Sequence, residues 1–335
     1  MKKVLVNKPI HEAALRRLRQ EVEVLTPFAA PLAEVLGMLP GVHGVILCAG
    51  LTMGAAEMDL AQQLEVIGRH GAGLDIVDVE AASQRGIPVV FTPYGPTEST
   101  AEHALTLMLA TARRLSQLDR AVREGNFHIR DRVVGRELEG KALGVVGFGR
   151  IGQRVAEMCR DALHMSVYAY DPYLAPEEIR DWGATPVEDL IELAALVDIL
   201  TIHTPLNRET HCLINRDVIQ AMKPGAILIN TSRGAVVDEA ALIKALQRGH
   251  LGGAGLDVFD PEPPAPDNPL FQLDQVVLTP HLASFTDEGR RRMGLSVAED
   301  VLSVLRGEKP AALANPEVWS RRRGALTEGS KVDEA

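Results

Sequence analysis

Short apolar runs, many of them β-branched, alternate along this chain with longer stretches in which apolar positions recur every three or four residues. The first pattern suits a strand buried on both faces, and the second suits an amphipathic helix. In the first hundred residues, runs at 4–6, 22–25, 44–47, 65–67 and 88–90 predict strands, and periodic stretches at 10–19, 31–39 and 79–84 predict helices. Strand and helix in rotation imply a parallel sheet covered by helices. Residues 91–97, FTPYGPT, hold two prolines and a glycine and predict a boundary. Beyond it, Ser99 and Glu102 have capping-box spacing and predict the start of one helix running towards Gly125. Its first half is apolar nearly all round, which fits a crossover helix buried between two bodies. Residues 126–139 are too polar for a core and read as an arm packing on a second subunit.

The rotation resumes at Lys141. Runs at 142–146, 166–170, 198–202, 226–230, 253–258 and 276–278 predict strands, with helices at 151–162, 187–196, 215–222 and 239–248, the last between Asp238 as cap and Gly249 as stop. About seven strand patterns suit a doubly wound sheet. A final helix, 287–305, ends at Gly307 and can return the chain to the first sheet.

One stretch carries a recognisable chemistry. The run 142–146 leads into Gly147, Gly149 and Gly152, spaced G-x-G-x-x-G, then a helix, and the next strand ends at Asp171, nineteen residues after Gly152. Such a turn lets backbone approach a pyrophosphate, the helix N-terminus offers unpaired N–H groups, and the acid accepts hydrogen bonds from ribose hydroxyls. A 2′-phosphate beside Asp171 would be repelled, so the spacing predicts NAD rather than NADP. Within the first domain, the loop RHGAGLD at 69–75 follows a strand with residues small enough for backbone N–H groups to face an anion, such as a substrate carboxylate.

Four polar residues follow predicted strand ends: Arg233, Asp257, Glu262 and His281. Ligands bind beyond the carboxyl ends of parallel strands, so these can converge. Arginine forks onto a carboxylate and an adjacent carbonyl oxygen, histidine delivers a proton near neutrality, and a nearby glutamate favours the imidazolium. Singly, each has a bland account as a surface turn or loop residue. Jointly, beside a dinucleotide turn, they suit reduction of a 2-keto acid.

Bulk properties narrow the field. With 335 residues, a net charge of −10 and a pI near 5.5, the chain fits two soluble domains and lacks the basic face a nucleic acid requires. The cluster Arg321–Arg323 sits in a polar tail, 321–335, read as solvated and flexible. Cys48, Cys159 and Cys212 are scattered, with neither disulfide nor zinc spacing, and reduced thiols fit the cytoplasm. No histidine pattern predicts a metal, the N-terminal residues do not read as a signal peptide, and no apolar run reaches membrane-spanning length.

The segments HGAGLDIVD, GPTESTAEHAL, GKALGVVGFGRIG, HTPLNRET, NTSRGAVVDEAAL, GLDVFDPEP and TPHLAS occur in the order found in the D-isomer-specific 2-hydroxyacid dehydrogenases, and over residues 4–319 the chain resembles that family. The resemblance implies an α/β fold of two doubly wound parallel-sheet domains, with a Rossmann NAD-binding domain (98–286) inserted into a flavodoxin-like substrate domain (1–97 and 287–320). It implies catalysis by Arg233, Glu262 and His281 and cofactor contacts at Arg150, Ile151, Asp171, Thr204, Thr231 and Asp257. It also places substrate carboxylate binding at Ala72 and Gly73, and implies a homodimer joined through the nucleotide domain. Phosphoglycerate dehydrogenases of the family carry arginine and serine where this chain has Cys48-Ala49, and asparagine where it has Pro96. These departures favour an unphosphorylated acid such as glyoxylate or hydroxypyruvate over D-3-phosphoglycerate. The family's regulatory domain has no counterpart beyond Trp319, so serine feedback is not expected. Formate dehydrogenases are disfavoured, since they carry glutamine where Glu262 stands. A reading of another class is a non-catalytic, NAD(H)-sensing protein resembling the corepressors of this fold; Arg233, Glu262 and His281 favour the enzyme.

Overall fold

The strand patterns of the first hundred residues become β1 (Lys3–Val6), β2 (Glu23–Leu25), β3 (Gly44–Leu47), β4 (Val66–Arg69) and β5 (Val89–Phe91) in the computed structural model, which describes residues 1–324. All pair in parallel in the order β2-β1-β3-β4-β5, the flavodoxin arrangement. Between them run α1 (Glu12–Arg19), α2 (Leu32–Met38), α3 (Ala55–Leu60) and α4 (Val79–Gln84). α3 was not expected: of its six residues only Met58 is buried, so it shows no apolar stripe, and its start is fixed by the Glu57 carboxylate accepting from the Gly54 N–H at 3.0 Å. The chain divides into two compact units, Met1–Pro96 with the chain from Phe285 onward, and Thr97–Ser284.

The second unit contains α5 (Thr97–Ala112), α6 (Leu115–Arg123), β6 (Ala142–Val146), α7 (Arg150–Leu163), β7 (Ser166–Tyr170), α8 (Pro176–Asp181), β8 (Thr185–Pro186), α9 (Leu190–Leu196), β9 (Ile199–Ile202), α10 (Arg216–Ala221), β10 (Ile227–Asn230), α11 (Glu239–Gln247), β11 (Gly253–Leu256) and β12 (Val276–Leu278). Its seven parallel strands run β12-β11-β10-β9-β6-β7-β8, the Rossmann order with one added strand, so the sequence reverses direction between β6 and β9. The expected single helix from Ser99 is two helices. It begins at Thr97, leaving Ser99 buried inside the first turn rather than capping it, and breaks where Arg114 takes a left-handed conformation at φ 56°. α5 lies on this unit's own sheet. The glycines of β11 make room for it, since a Cβ on Gly253 would stand 2.6 Å from Thr111 and one on Gly255 2.9 Å from Leu107. α8 was also unforeseen; Pro176 opens it and the Glu178 carboxylate caps the Ala175 N–H at 2.9 Å.

The last helix, α12 (Asp287–Arg306), returns to the first unit. With α1 it covers one face of the five-stranded sheet, Val297, Val301 and Leu302 packing with Val4, Val6, Ile46 and Val66, while α2, α3 and α4 cover the other. The segment beyond it is pinned down. Asn315, 1% exposed, accepts from the Val89 N–H at 2.8 Å and donates to the Ile87 carbonyl at 3.0 Å. Of the cluster Arg321–Arg323, expected to be solvated, Arg321 is exposed but Arg322 and Arg323 are docked. Arg322 stacks 3.9 Å over Trp319 and donates to the Trp319 and Gly307 carbonyls, and Arg323 donates to the carbonyls of Arg85 and Gly86. Arginine's planar cation finds both an aromatic face and helix-end carbonyls there, which a charge-based reading overlooks. The rest of the expected flexible tail, 325–335, lies outside the described residues. Among the described residues no helix is long and apolar enough to cross a membrane.

Candidate active site

The three glycines after β6 are distinguished by what a side chain would meet. Gly147 sits at φ +85°, and a Cβ there would stand 2.8 Å from Thr204 and 2.9 Å from the His203 backbone. At Gly152 a Cβ would stand 2.2 Å from the Gly147 carbonyl oxygen, so only glycine lets α7 come down onto the end of β6. At Gly149, the residue capping α7, nothing lies within 4 Å. The first and third glycines are thus required by the protein itself, and the middle one leaves open space over a helix N-terminus. Asp171 fixes the turn, its carboxylate accepting from the Phe148 N–H at 2.8 Å and the Tyr173 N–H at 3.0 Å. Each carboxylate oxygen can accept more than one bond, so capacity remains for a ligand hydroxyl.

Thr204, after β9, and Thr231, after β10, present side-chain oxygens that are buried with no protein partner. Two orphaned hydroxyls near the ends of adjacent strands, with the open space at Gly149 and the carboxylate of Asp171, fit a dinucleotide. Buried polar groups of this kind are otherwise costly. Arg150 and Ile151 form the first turn of α7 beside this space.

Arg233 is set by Asn230, the last residue of β10. The Asn230 amide oxygen accepts from the Ser232 N–H at 2.9 Å and hydroxyl at 2.8 Å, while its nitrogen donates to the Arg233 carbonyl at 2.9 Å, folding 230–233 into a tight turn. Gly234 then brings this turn onto the loop that bears Glu262, for a Cβ on Gly234 would stand 2.0 Å from the Phe259 carbonyl. The Glu262 carboxylate accepts from the Phe259 N–H at 3.0 Å and meets His281 Nδ1 at 2.7 Å. Burial pushes the Glu262 carboxyl up, but the bonds from His281 and Phe259 and the charges of His281 and Arg233 outweigh it and hold the group below the usual range. All three expected catalytic residues are therefore in one neighbourhood.

Asp257 was expected on the cofactor, and its carboxylate turns out to be engaged within the protein. It is 0% exposed and accepts from the Thr279 hydroxyl at 2.6 Å, the Leu282 N–H at 3.0 Å and the Ala283 N–H at 2.8 Å; its backbone carbonyl accepts from the His281 N–H at 2.7 Å. His281 itself is at φ +53°, where a non-glycine residue needs support. Asp257 supplies it from both sides. Burial pushes this carboxyl up too, and His103, 3.6 Å away, with the bonds from Thr279, Leu282 and Ala283 brings it below the usual range. Asn230, Thr279 and His103, whose ring nitrogen lies 3.0 Å from the Thr279 hydroxyl, were missed by sequence reasoning, because nothing local marks them as partners of groups so distant in sequence.

In the first unit, the 69–75 loop is built around Arg69. Its guanidinium donates to the carbonyls of Leu47, Cys48, His70 and Gly73 at 2.9–3.3 Å. With the carbonyls turned onto Arg69, the N–H groups of Ala72 and Gly73 meet no protein acceptor among the described residues. Among those residues no group of three or more His, Cys, Asp or Glu side chains could hold a metal.

Residues 105–283 match the family described as D-isomer specific 2-hydroxyacid dehydrogenase, NAD binding domain. The chain is 44% identical over 308 residues to a D-3-phosphoglycerate dehydrogenase of Archaeoglobus fulgidus, covering 91% of this chain and 58% of that protein. It is 38% identical over 329 residues to a glyoxylate reductase of Korarchaeum cryptofilum, covering 94% and 96%. It thus spans about three fifths of the length of the phosphoglycerate dehydrogenases it matches. Among solved structures, the NADPH-dependent glyoxylate/hydroxypyruvate reductase of Sinorhizobium meliloti, in complex with NADP and malonate, superposes with a TM-score of 0.85 at 32% identity, covering 96% of this chain and 99% of that one.

Proposed function

From the premise that the chain belongs to the D-isomer specific 2-hydroxyacid dehydrogenase family and carries its NAD-binding domain, we propose an NAD(H)-dependent reductase of small 2-keto acids, acting equally as a dehydrogenase of D-2-hydroxy acids. The observation that carries this reading is the 2.7 Å contact between His281 Nδ1 and Glu262, on a turn held by Asp257 and within the field of Arg233. Bonded to a carboxylate, Nδ1 keeps its proton, which leaves Nε2 as the atom that exchanges a proton with substrate. A dinucleotide held by its pyrophosphate at the glycine turn would supply a hydride for the carbonyl carbon from its nicotinamide. Arg233 stabilises the charge that gathers on the carbonyl oxygen, and protonated His281 delivers its Nε2 proton there. Glu262 stabilises the imidazolium before transfer. In the reverse direction neutral His281 takes the hydroxyl proton.

The free N–H groups of Ala72 and Gly73 support their assignment to the substrate carboxylate. Glyoxylate and hydroxypyruvate are small unphosphorylated acids that meet these requirements. The reading includes a cytoplasmic homodimer joined through the second unit. Phe127 and Val134, 63% and 84% exposed in the 126–139 segment, support that interface, and light scattering coupled to size exclusion tests it.

Loss of NADH absorbance across glyoxylate, hydroxypyruvate, pyruvate and longer keto acids tests the function. His281→Ala should depress kcat far more than NADH affinity; equal losses would make His281 a structural residue. Silence across the whole panel with NADH still bound would favour an NAD(H) sensor.

A further inference from the structure

The packing of α5 on β11 sets a register between them. A Cβ on Gly253 would stand 2.6 Å from Thr111, and one on Gly255 2.9 Å from Leu107. Strand side chains alternate, so Gly253, Gly255 and Asp257 share the covered face, while Thr111, Leu107 and His103 lie one above another on the helix. A helical turn advances about 5.4 Å and two strand residues about 6.6 Å, so the pairing carries on for one more step. That step brings His103 to Asp257, with Nε2 3.6 Å from the carboxylate Oδ1. Two glycines let the helix down onto the strand, and the third position on that face is an acid met by a histidine.

The contact has a direction. Thr279, just past β12, has one hydroxyl hydrogen and gives it to Asp257 Oδ1 at 2.6 Å. Its oxygen therefore accepts from His103 Nε2, 3.0 Å away, and that ring nitrogen is a protonated one. With His103 donating to it, the hydroxyl cannot turn its hydrogen elsewhere, and the hydrogen stays on the carboxylate. The line from His103 through Thr279 thus ends on the residue that holds the Leu282 and Ala283 amides with its carboxylate and the His281 N–H with its carbonyl. Asp257 is wholly buried, so its donors rather than water fix where it stands. Among the described residues the polar contacts of the His103 ring are with Thr279 and Asp257, not with His281 or Glu262.

We propose that His103 is a positioning residue for the reduction: through Thr279 it fixes the Asp257 carboxylate, and Asp257 fixes the turn that holds the His281 ring against Glu262. This rests on the reading above, in which His281 delivers the proton. The acid of the reaction is then aligned from α5, a helix remote from it in sequence, and by a side chain that does not touch it.

The test uses the full chain with NADH and glyoxylate or hydroxypyruvate, and refers kcat to titrated NADH-binding sites so that unfolded protein does not count. His103→Leu and Thr279→Val should each lower kcat about tenfold and leave KM for NADH and for the keto acid within about twofold. Both act along one line, so the double variant should be no slower than either alone, whereas losses at independent sites multiply. His103→Gln, whose amide N–H can replace the Nε2–H, and Thr279→Ser should return kcat to within about threefold of the wild type. Wild-type kcat in His103→Leu, losses that multiply in the double variant, or a His103→Gln protein as slow as His103→Leu overturns the proposal. Amide hydrogen exchange on the NADH-free protein reads the turn without any turnover. In His103→Leu the amides of His281, Leu282 and Ala283 should exchange about tenfold faster, while those of β6 keep their wild-type rates. That result in a protein that reduces no keto acid would sink the catalytic reading and keep the positioning of the turn. Unchanged exchange at these three amides, or an equal rise in β6, would sink the positioning role whatever the turnover.

Discussion

Replacing Asp257 by asparagine preserves size and removes a charge on which the His281 turn depends. In the wild type the carboxylate accepts three hydrogen bonds, from Thr279, Leu282 and Ala283, with no exposure to water. An asparagine has one acceptor oxygen. If that oxygen faces Thr279 and Leu282, its NH2 group confronts the Ala283 N–H; if it is turned over, it confronts the Thr279 and Leu282 donors. At least one buried N–H loses its partner either way, and the remaining bonds lose their charge assistance, so Asp257→Asn should cost about 3–5 kcal/mol. The sign with pH follows from the depressed native pKa. The stabilisation is fully present above the unfolded value, about 3.9, and is lost as pH falls through the lower folded value. Urea unfolding should therefore show a constant gap between wild type and variant near neutrality that narrows below about pH 4. The freed turn would let His281 leave its strained conformation, lowering kcat by roughly 100-fold while NADH affinity measured by fluorescence changes little. Wild-type stability in the variant, a gap that persists unchanged into acid, or a loss confined to NADH affinity would refute the reasoning. The last is the result expected if Asp257 touched the cofactor directly.

Four further substitutions probe the nucleotide site. Gly152→Ala places a methyl 2.2 Å from the Gly147 carbonyl and should destabilise the fold by about 2–3 kcal/mol, whereas Gly149→Ala, with nothing within 4 Å, should leave the melting temperature unchanged and weaken NADH binding. If both lower stability alike, Gly149 is not the ligand-facing glycine. Thr231→Val removes a buried hydroxyl that has no protein partner, so the ligand-free protein should be as stable or gain up to about 1 kcal/mol while NADH affinity falls roughly fivefold. A stability loss without an affinity loss would mean that the hydroxyl serves the protein. Glu209, whose carboxylate accepts from the Tyr173 hydroxyl beside Asp171, adds a second negative charge near the acid expected on the ribose. Glu209→Gln should raise the NADPH-to-NADH ratio of kcat/KM by roughly threefold at low salt, and an unmoved ratio would exclude it from cofactor selection.

What could be read from sequence was what is encoded locally. A strand ending in a glycine turn, an acid at the end of the next strand, and Asp238 capping α11 each need only a short window of chain, and all appear where the pattern places them. The break at Arg114 escaped notice because neither glycine nor proline marks it; a left-handed arginine is held there by surrounding structure. α3 and α8 are too short to display a period. The larger gap concerns partners remote in sequence. Nothing around Thr279 predicts that its hydroxyl reaches Asp257, and nothing around Arg290 predicts that it reaches Pro9, a contact spanning most of the chain. The first of those bonds matters most for the site: the Asp257 carboxylate, expected on the cofactor, holds the turn that carries His281.

The first unit's sheet is covered on one face by α12 and pinned along β5 by Asn315, elements made almost two hundred residues after its last strand. On the ribosome, Val4, Val6, Ile46 and Val66 emerge early and have to wait for Val297 and Val301 before that face is closed. The intervening unit carries its whole seven-stranded sheet between residues 97 and 284 and can settle while its predecessor is still open. Order of synthesis and order of completion are therefore reversed, and the nascent protein's period of greatest exposure to aggregation belongs to the residues translated first.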